Sequence, residues 1–376
     1  MDPALYKDHK VSRGLSYHYF YQPATEGKPT LLFVHGFPSS SYDWHRQVEH
    51  FRPKGYGILV PDLLGAGGTD KPDDPEAFRI ARIARDIVDI LDAEGLDRVV
   101  GIAHDWGSVV LSRLANLFQD RFYAFAWLVV SYTPPNPVAI NIDAVIGHLK
   151  TMTGNGRYGY WKWYSQDDAY LLCDQNVCAV PVGDPQVADG VPDDDLEQLD
   201  SMLQLAYPKD PQMWLEWVTP VGKTKQWVEE NRHSDIPDWL TPQEYERFRD
   251  TLAKGSFKSY LNYYKVAVRS LNVPDDKGIY TFDRIETCLL LTQPSAEIAE
   301  EAYYVQKPAL LIAAKRDVVA SPEMGRMTCE RYIPHAKIVE LDTGHWVQLE
   351  ATEQVNKELE EWIVGLGLQK NTKNNL

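Results

Sequence analysis

Short apolar runs and stretches of helical periodicity alternate along the first third of the chain. The runs that predict strands buried on both faces are LLFV (31–34), GILVP (57–61), RVVGIA (98–103) and WLVVS (127–131). Between them, residues 76–96 carry isoleucines at helical spacing, which predicts an amphipathic helix. Strands that alternate with helices in this way indicate a mostly parallel sheet that is covered by helices on both faces.

The pattern changes after residue 133. Residues 134–270 are rich in Trp, Tyr and Pro, have mostly helical spacing and contain no comparable apolar run. Strand signals return with PALLIAA (308–314) and KIVEL (337–341), and TEQVNKELEEWIVGL (352–366) predicts a closing amphipathic helix. A sheet that is interrupted by helices and then resumed indicates a core domain with an inserted cap.

The predicted division of the chain is a two-part α/β core, residues 1–133 and 299–376, around a helical cap at 134–298. Two stretches of this cap differ from the rest. Residues 178–199 are acidic and contain prolines, and residues 278–297 carry an apolar run with no evident face. We interpret both as later insertions that carry no chemistry. The alternative is that they are ordinary surface loops, which cap regions tolerate.

Composition and charge narrow the classes of function. The chain has 376 residues, of which 44 % are hydrophobic and 24 % charged, values typical of a soluble globular protein. Its net charge of −16 disfavours nucleic acid and anionic membranes as partners. No apolar stretch is long enough to span a bilayer, and the N-terminus has no signal-peptide pattern. The four cysteines lack the spacing of a zinc site or a disulfide framework, so we expect a cytoplasmic protein.

The stretch GIAHDWG places Asp105 between an apolar strand and a predicted helix at 106–118. Ala103 and Gly107 are small, as a sharp strand-to-helix turn requires, and aspartate stands where serine is commoner in a nucleophile elbow. The free N–H groups of a helix N-terminus favour a charged carboxylate at this point. The alternative is that Asp105 is simply the N-cap of the helix.

Further candidate groups follow other strands at the same predicted edge of the sheet. In LLFVHGFP, the backbone N–H of Phe37 could form an oxyanion hole with that of Trp106, each donor contributing about 3 kcal/mol in a transition state. His345 follows one late strand, and Asp317 follows another and could orient its imidazole. The alternative for the HGFP stretch is an ordinary turn, and the alternative for His345 is a structural histidine. The chain order of nucleophile, acid and histidine is that of α/β-hydrolase sheets.

As a set, these motifs resemble the signature of the α/β-hydrolase-fold epoxide hydrolases. The matching residues are His35-Gly36-Phe37-Pro38, His104-Asp105-Trp106-Gly107, Asp317 and Gly344-His345-Trp346. The resemblance extends over nearly the whole chain and departs from the usual pattern at Ala103, where glycine is common. It implies an α/β-hydrolase fold, with a mostly parallel sheet, helices on both faces and an inserted helical cap.

Epoxide hydrolases of this kind also use two cap tyrosines that hydrogen-bond the epoxide oxygen. YLNYYKV resembles one of these sites and gives Tyr264. GYWKWYS resembles the other and gives Tyr160, with Tyr158 and Tyr164 as alternatives in the same stretch. The competing interpretation is that tyrosines at helical spacing pack a core.

The resemblance implies that Asp105 attacks an epoxide carbon while Tyr160 and Tyr264 polarise the oxygen. Water activated by His345 and Asp317 then releases a vicinal diol. No metal or organic cofactor is implied, and the expected partners are a small apolar epoxide and water. The oligomeric state stays open between monomer and homodimer. The first alternative is a hydrolytic haloalkane dehalogenase, which would share the aspartate nucleophile, and a more distant one is a non-catalytic ligand receptor of this fold.

Overall fold

A computed structural model describes residues 1–25, 27–175, 201–253, 255–277 and 300–368. Within them, one eight-stranded sheet has the order β1-β2-β4-β3-β5-β6-β7-β8. The strands are β1 (Tyr6–Lys10), β2 (Ser16–Gln22), β3 (Thr30–Val34), β4 (Gly57–Pro61), β5 (Val99–His104), β6 (Phe122–Leu128), β7 (Ala309–Ala314) and β8 (Lys337–Leu341). Strand β2 pairs antiparallel with both β1 and β4, whereas the remaining pairs are parallel.

Most of the predicted strands lie where the apolar runs placed them. The run predicted at 127–131 was placed too late, because β6 already begins at Phe122 and ends at Leu128. The next residue, Val129, has φ 67 and turns the chain out of the sheet. Strands β1 and β2 were not predicted. Both contain polar residues, and β1 is an edge strand whose side chains are exposed or half-buried, so neither forms a continuous apolar run.

Helices cover the sheet and fill the described region between β6 and β7. They are α1 (His45–Phe51), α2 (Ile80–Ala93), α3 (Trp106–Leu117), α4 (Ile142–Thr153), α5 (Gly159–Tyr164), α6 (Ala169–Gln175), α7 (Met213–Trp217), α8 (Lys223–Glu229), α9 (Pro242–Ala253), α10 (Phe257–Tyr260), α11 (Asn262–Val268), α12 (Val273–Asp276), α13 (Pro322–Tyr332), α14 (Val347–Glu350) and α15 (Thr352–Gly365). Residues 201–206 are helical too. We refer to α4–α12 with residues 201–206 as the cap helices.

The helical predictions are close to the observed bounds. The helix predicted over 76–96 begins with a 3-10 turn, Pro75–Phe78, and continues as α2. The two suspected insertions, 178–199 and 278–297, lie outside the described residues. In the part of the chain that the structure describes, no helix is both long and apolar enough to cross a membrane.

The sheet is buried between two apolar layers, because alternate residues of each strand point to opposite faces. From β3, Leu32 and Val34 pack with residues of α2 and α3, whereas Leu31 and Phe33 pack with residues of α1 and α15. This packing fixes the carboxyl edge of the parallel strands, where the loops after β3, β5, β7 and β8 meet.

An ionic network around Glu244 joins α9 to the core. Glu244 lies in the first turn of α9, where Thr241 and Glu244 form a reciprocal capping box. The Arg46 guanidinium, in α1, donates to both oxygens of Glu244 at 2.8 and 2.7 Å, and His45 Nε2 lies 2.6 Å from Oε1. Arg46 also donates to the carbonyl of Trp239 at 2.7 Å. Burial opposes the charge, but these donors outweigh it and lower the pKa of Glu244 to about 2.

We expect Glu244→Gln to lower the free energy of unfolding by about 1–3 kcal/mol at neutral pH, because Arg46 loses its anionic partner. The folded pKa lies below the ordinary value of 4.5, so this contribution is complete above pH 4.5 and is lost as the pH falls through about 2. Denaturant unfolding at several pH values measures it. Glu360→Gln is the matched control, because Glu360 likewise binds one basic side chain and one histidine. Its side chain is 29 % exposed, so its ion pairs should contribute less than about 1 kcal/mol. Equal losses in both variants would contradict the prediction.

Candidate active site

The turn between β5 and α3 presents Asp105 above the carboxyl edge of the sheet. Asp105 has φ 53 and ψ −126, a strained conformation for a residue with a side chain. Gly107 permits the turn, because a Cβ there would lie 2.2 Å from the carbonyl oxygen of Val34. Ala103 is fully buried, so its methyl group is accommodated. The nucleophile-elbow geometry predicted from the small flanking residues is therefore present.

The carboxylate of Asp105 does not cap the helix that it precedes. Its side chain makes no capping hydrogen bond to α3. Instead, Oδ1 accepts a hydrogen bond of 2.7 Å from the backbone N–H of Phe37. Gly36 leaves room for this contact, because a Cβ at that position would lie 2.3 Å from Oδ1. The N-cap alternative is correct for the position of Asp105 but wrong for its side chain.

The other two predicted groups meet Asp105 at the same edge. His345 follows β8, and its Nε2 lies 3.5 Å from Oδ2 of Asp105. Asp317 follows β7, and its Oδ2 lies 2.6 Å from Nδ1 of His345. The second oxygen of Asp317 accepts from the amides of Val319 and Ala320 at 2.7 and 2.9 Å. Asp317 is thus fixed by backbone amides and in turn orients the imidazole.

The charges of these neighbouring side chains shift the pKa values of Asp105 and His345 in opposite directions. Burial opposes ionisation of Asp105, but the His345 ring and the Phe37 amide outweigh it and lower the carboxyl pKa below its ordinary value. Burial also opposes protonation of His345, yet the nearby carboxylates, Asp317 foremost, raise its pKa to about 10. Asp105 is therefore an anion, and His345 is an imidazolium while both carboxylates are charged.

A buried polar layer beneath His345 was missed by the sequence analysis. His104 Nε2 lies 2.9 Å from the His345 carbonyl, and its Nδ1 lies 3.2 Å from the amide nitrogen of Gln348. Gln348 also donates to Asp43 at 2.8 Å. Burial lowers the pKa of His104 to about 3 and raises that of Asp43 to about 7. His104 adjoins Asp105 in sequence, but nothing in the sequence pattern marks Asp43 or Gln348.

The loop after β3 carries the first predicted oxyanion donor. His35 holds its start, because its Nε2 accepts from the Leu63 amide at 2.8 Å and its Nδ1 lies 2.9 Å from the Gly36 carbonyl. The Phe37 amide of this loop points at the Asp105 carboxylate. Trp106 is the first residue of α3, where backbone N–H groups have no acceptor within the helix. Both predicted backbone donors therefore flank Asp105.

Two tyrosines that the sequence analysis did not select hold the same loop from above. The Tyr260 hydroxyl donates to the Gly36 carbonyl at 2.7 Å and accepts from the Ser39 amide at 2.9 Å. The Tyr207 hydroxyl donates to the Pro38 carbonyl at 3.0 Å. Both belong to the region of the cap helices, and their roles depend on contacts between distant segments that no local motif reveals.

The two predicted cap tyrosines lie next to each other on the cap side of Asp105. The ring centroids of Tyr160, in α5, and Tyr264, in α11, are 5.7 Å apart. Burial raises the pKa of both hydroxyls well above the ordinary value, and the negative charge of Asp105 adds to both shifts. Both side chains therefore keep their protons at neutral pH and can act as hydrogen-bond donors.

The neighbouring tyrosines of α5 have other surroundings. Burial raises the pKa of Tyr158, and the charge that adds to this shift is that of Asp317. Burial also raises the pKa of Tyr164, with Cys173 as the neighbouring group that adds to it. Among the three alternatives of this stretch, Tyr160 is the one whose pKa responds to Asp105.

The strand order and the match to a family profile indicate the same fold. Residues 29–155 match the sequence profile that describes the alpha/beta hydrolase fold. The chain has the α/β-hydrolase fold. Among solved structures, epoxide hydrolase A from Mycobacterium thermoresistibile superposes on this chain with a TM-score of 0.68 and 23 % identity, covering 96 % of this chain and 98 % of that one. An epoxide hydrolase from an endophytic Streptomyces gives a TM-score of 0.70 at 20 % identity, with 96 and 95 % coverage.

Curated relatives carry similar names. Epoxide hydrolase A of Mycobacterium tuberculosis is 26 % identical over 348 residues, which cover 91 % of this chain and 92 % of that protein. Bifunctional epoxide hydrolase 2 of Mus musculus is 23 % identical over 336 residues, and the match covers 89 % of this chain but only 51 % of the mouse protein. These comparisons confirm the predicted fold and the predicted resemblance to epoxide hydrolases.

A cavity of about 260 Å³ lies above the carboxyl edge of the parallel strands. Asp105, Trp106, Tyr160 and His345 form its floor and one wall. Tyr264 is 3 % exposed and lies beside Tyr160. Within the described ranges, no group of three or more His, Cys, Asp or Glu side chains is arranged to hold a metal ion.

We expect Asp105→Asn to lower the pKa of His345 by about 1 to 3, because the variant removes an anion that lies within 4 Å of the ring. An NMR titration of the imidazole in both proteins measures this change. Asp342→Asn is the control, since Asp342 is 80 % exposed and pairs with Arg316. A His345 pKa that stays near 10 in Asp105→Asn would show that the Asp105 charge does not act on the ring.

Proposed function

We propose that this chain is an epoxide hydrolase that converts an epoxide to a vicinal diol through an ester on Asp105. One arrangement carries the proposal: an ionised, strained aspartate at the floor of a cavity, 3.5 Å from a histidine that a second aspartate orients. The names of the curated relatives support the same reaction class. The substrate of the proposed reaction is a small, largely apolar epoxide, and water is the second reactant.

In the first step, Oδ2 of Asp105 attacks an epoxide carbon, and the bond between this carbon and the ring oxygen breaks. Tyr160 and Tyr264 hydrogen-bond the departing oxygen, and one of them transfers its proton to it. Such general-acid assistance accelerates reactions by about 10²- to 10⁴-fold. Because burial and the Asp105 charge keep both tyrosines protonated, the donors are ready at neutral pH.

The ester then changes the state of His345. Esterification removes the negative charge of Asp105, which is one of the causes that raise the pKa of His345 to about 10. The imidazolium therefore becomes more acidic, and its proton returns the tyrosinate to tyrosine. The resulting neutral imidazole, still oriented by Asp317, is a base for water. Alkylation thus prepares the base that the next step requires.

In the second step, His345 Nε2 takes a proton from water, and the hydroxide attacks the carbonyl carbon of the ester. The negative charge that develops on Oδ1 is stabilised by the amides of Phe37 and Trp106, and one such donor contributes about 3 kcal/mol. The bond between this carbon and the alkyl oxygen breaks, and the imidazolium protonates the departing alkoxide. The diol leaves, and the proton of the carboxylic acid returns to His345.

We expect Asp105→Ala to abolish turnover and His345→Gln to form the ester without releasing it. The second variant should consume one equivalent of epoxide per protein without releasing diol, and the intact protein should gain a mass equal to that of the epoxide. Asp97→Ala is the matched carboxylate control, because Asp97 is 85 % exposed. Normal steady-state turnover by His345→Gln would exclude the two-step reaction. Halide release from haloalkanes, without epoxide opening, would favour a dehalogenase instead.

For the tyrosines, we expect Tyr160→Phe and Tyr264→Phe each to slow alkylation, and the double variant to lose about 10²- to 10⁴-fold. The loss in the double variant exceeds either single loss because one donor partly compensates for the other. Single-turnover rates of ester formation measure it. Tyr164→Phe is the control, since its ring lies 5.0 Å from that of Tyr264 but borders Cys173. An unchanged rate in the double variant would assign the acid to another group.

A further inference from the structure

The cavity above Asp105 extends away from the nucleophile in one direction. Its walls come from α3, from residues 130–140 after β6 and from residues 266–276 of α11 and α12. Most of the lining side chains are apolar, among them Val109 and Ile140. With about 260 Å³ of space, this side of Asp105 can hold a sizeable apolar substituent.

The side of Asp105 toward Phe37 is closed by aromatic rings. The Phe37 ring meets the rings of Tyr260, Tyr264 and Tyr164 edge-on, with centroids 4.9, 5.1 and 5.6 Å away. Phe37 is 6 % exposed and is not among the residues that line the cavity. Because a packed interior has no voids for added atoms, an alkyl group directed this way would have to displace these rings.

The side toward His345 is closed as well. The ring centroid of Trp214, in α7, lies 5.2 Å from that of His345, and its Nε1 donates to the Leu205 carbonyl at 2.7 Å, which fixes the indole. A second space borders His345 between Trp214 and Trp239, but its volume is only about 10 Å³. Such a space holds a single water molecule at most. This side therefore has room for a water molecule but not for an alkyl chain.

We propose that the site selects epoxides whose bulk lies on one ring carbon, with only hydrogen or a methyl group on the other. This inference rests on the proposed function and specifies its substrate class. The large, apolar substituent lies in the cavity beside α3, and the other ring carbon faces the walls formed by Phe37 and Trp214. A methyl group is the limit because it is the alkyl group closest in size to water. Trp214 is then a specificity-determining residue that acts by filling space.

The substrate cannot avoid this limit by turning its ring over. Tyr160 borders the cavity and Tyr264 lies beside it, so the epoxide oxygen points toward the cap helices while Oδ2 of Asp105 approaches a ring carbon from the sheet. The substituents of the two ring carbons then extend to opposite sides. Turning the ring exchanges the two carbons but still leaves one substituent in the cavity and one against a packed wall. A substrate with two long substituents is therefore disfavoured in either orientation.

The test compares kcat/KM for two isomeric trans epoxides, one with a methyl and a pentyl group and the other with two propyl groups. Both rings are substituted alike, so their intrinsic reactivities are close. We expect the methyl and pentyl isomer to be favoured about 10- to 100-fold, because a propyl group would overpack the closed side. Turnover of only the terminal epoxide with one hexyl group would also support the inference. Equal turnover of the two isomers would overturn it, whereas turnover of none of the three epoxides would overturn the proposed function itself.

Variants of α7 locate the preference. Trp214→Leu enlarges the space beside His345 and should lower the preference for the methyl and pentyl isomer about 10-fold. The ratio of the two isomers within one variant cancels any general loss of activity. Trp217→Leu is the matched control, because Trp217 is equally buried in the same helix but packs on Trp227 at 5.4 Å and lines neither space. Thermal unfolding shows whether each variant is folded at the assay temperature. An unchanged ratio in folded Trp214→Leu, or an equal change in the control, would overturn the assignment of Trp214.

Discussion

The carboxylate of Asp105 keeps its negative charge in a site where it is only 17 % exposed, because the Phe37 amide and the His345 ring compensate for lost water. No single local segment supplies both partners. The amide comes from the loop after β3, and the imidazole comes from the loop after β8. A parallel sheet brings both loops to one edge, so the charge of this one group depends on the order and direction of the strands.

The same constraint explains several features around the carboxylate. Only glycine fits at position 36, because a Cβ there would lie 2.3 Å from Oδ1 of Asp105. Asp317 accepts two backbone amides, which fix it as the partner that orients His345. The polar layer beneath, with His104 and Gln348, holds the His345 carbonyl in turn. Each of these contacts preserves the geometry of an anion and a ring, and the reaction we propose makes use of both groups in turn.

The sequence predicted the strands and helices that have a regular apolar pattern, together with the site residues that follow such strands. Strands β3, β4, β5 and β7 are fully buried apolar runs, and β8 is a partly exposed one. Asp105, Asp317 and His345 were found because they follow such runs. Strand β1 escaped prediction because it is an edge strand of mostly polar, exposed or half-buried residues and has no apolar run. Asp43, Gln348, Tyr207 and Tyr260 escaped for a different reason: each acts through a partner that is distant in sequence, and spacing along the chain carries no information about such pairs.

The bonds from Tyr207 and Tyr260 to the loop at residues 36–39 have a consequence for how the molecule can move. These hydroxyls belong to the region above the site, and the backbone that they bind carries the Phe37 amide. The same bonds therefore attach this region to the core and support the loop that holds the amide. Displacing that region would break these bonds and leave the loop that carries the Phe37 amide without their support. In the reaction we propose, any displacement of this region would therefore leave the Phe37 amide less well supported as an oxyanion donor.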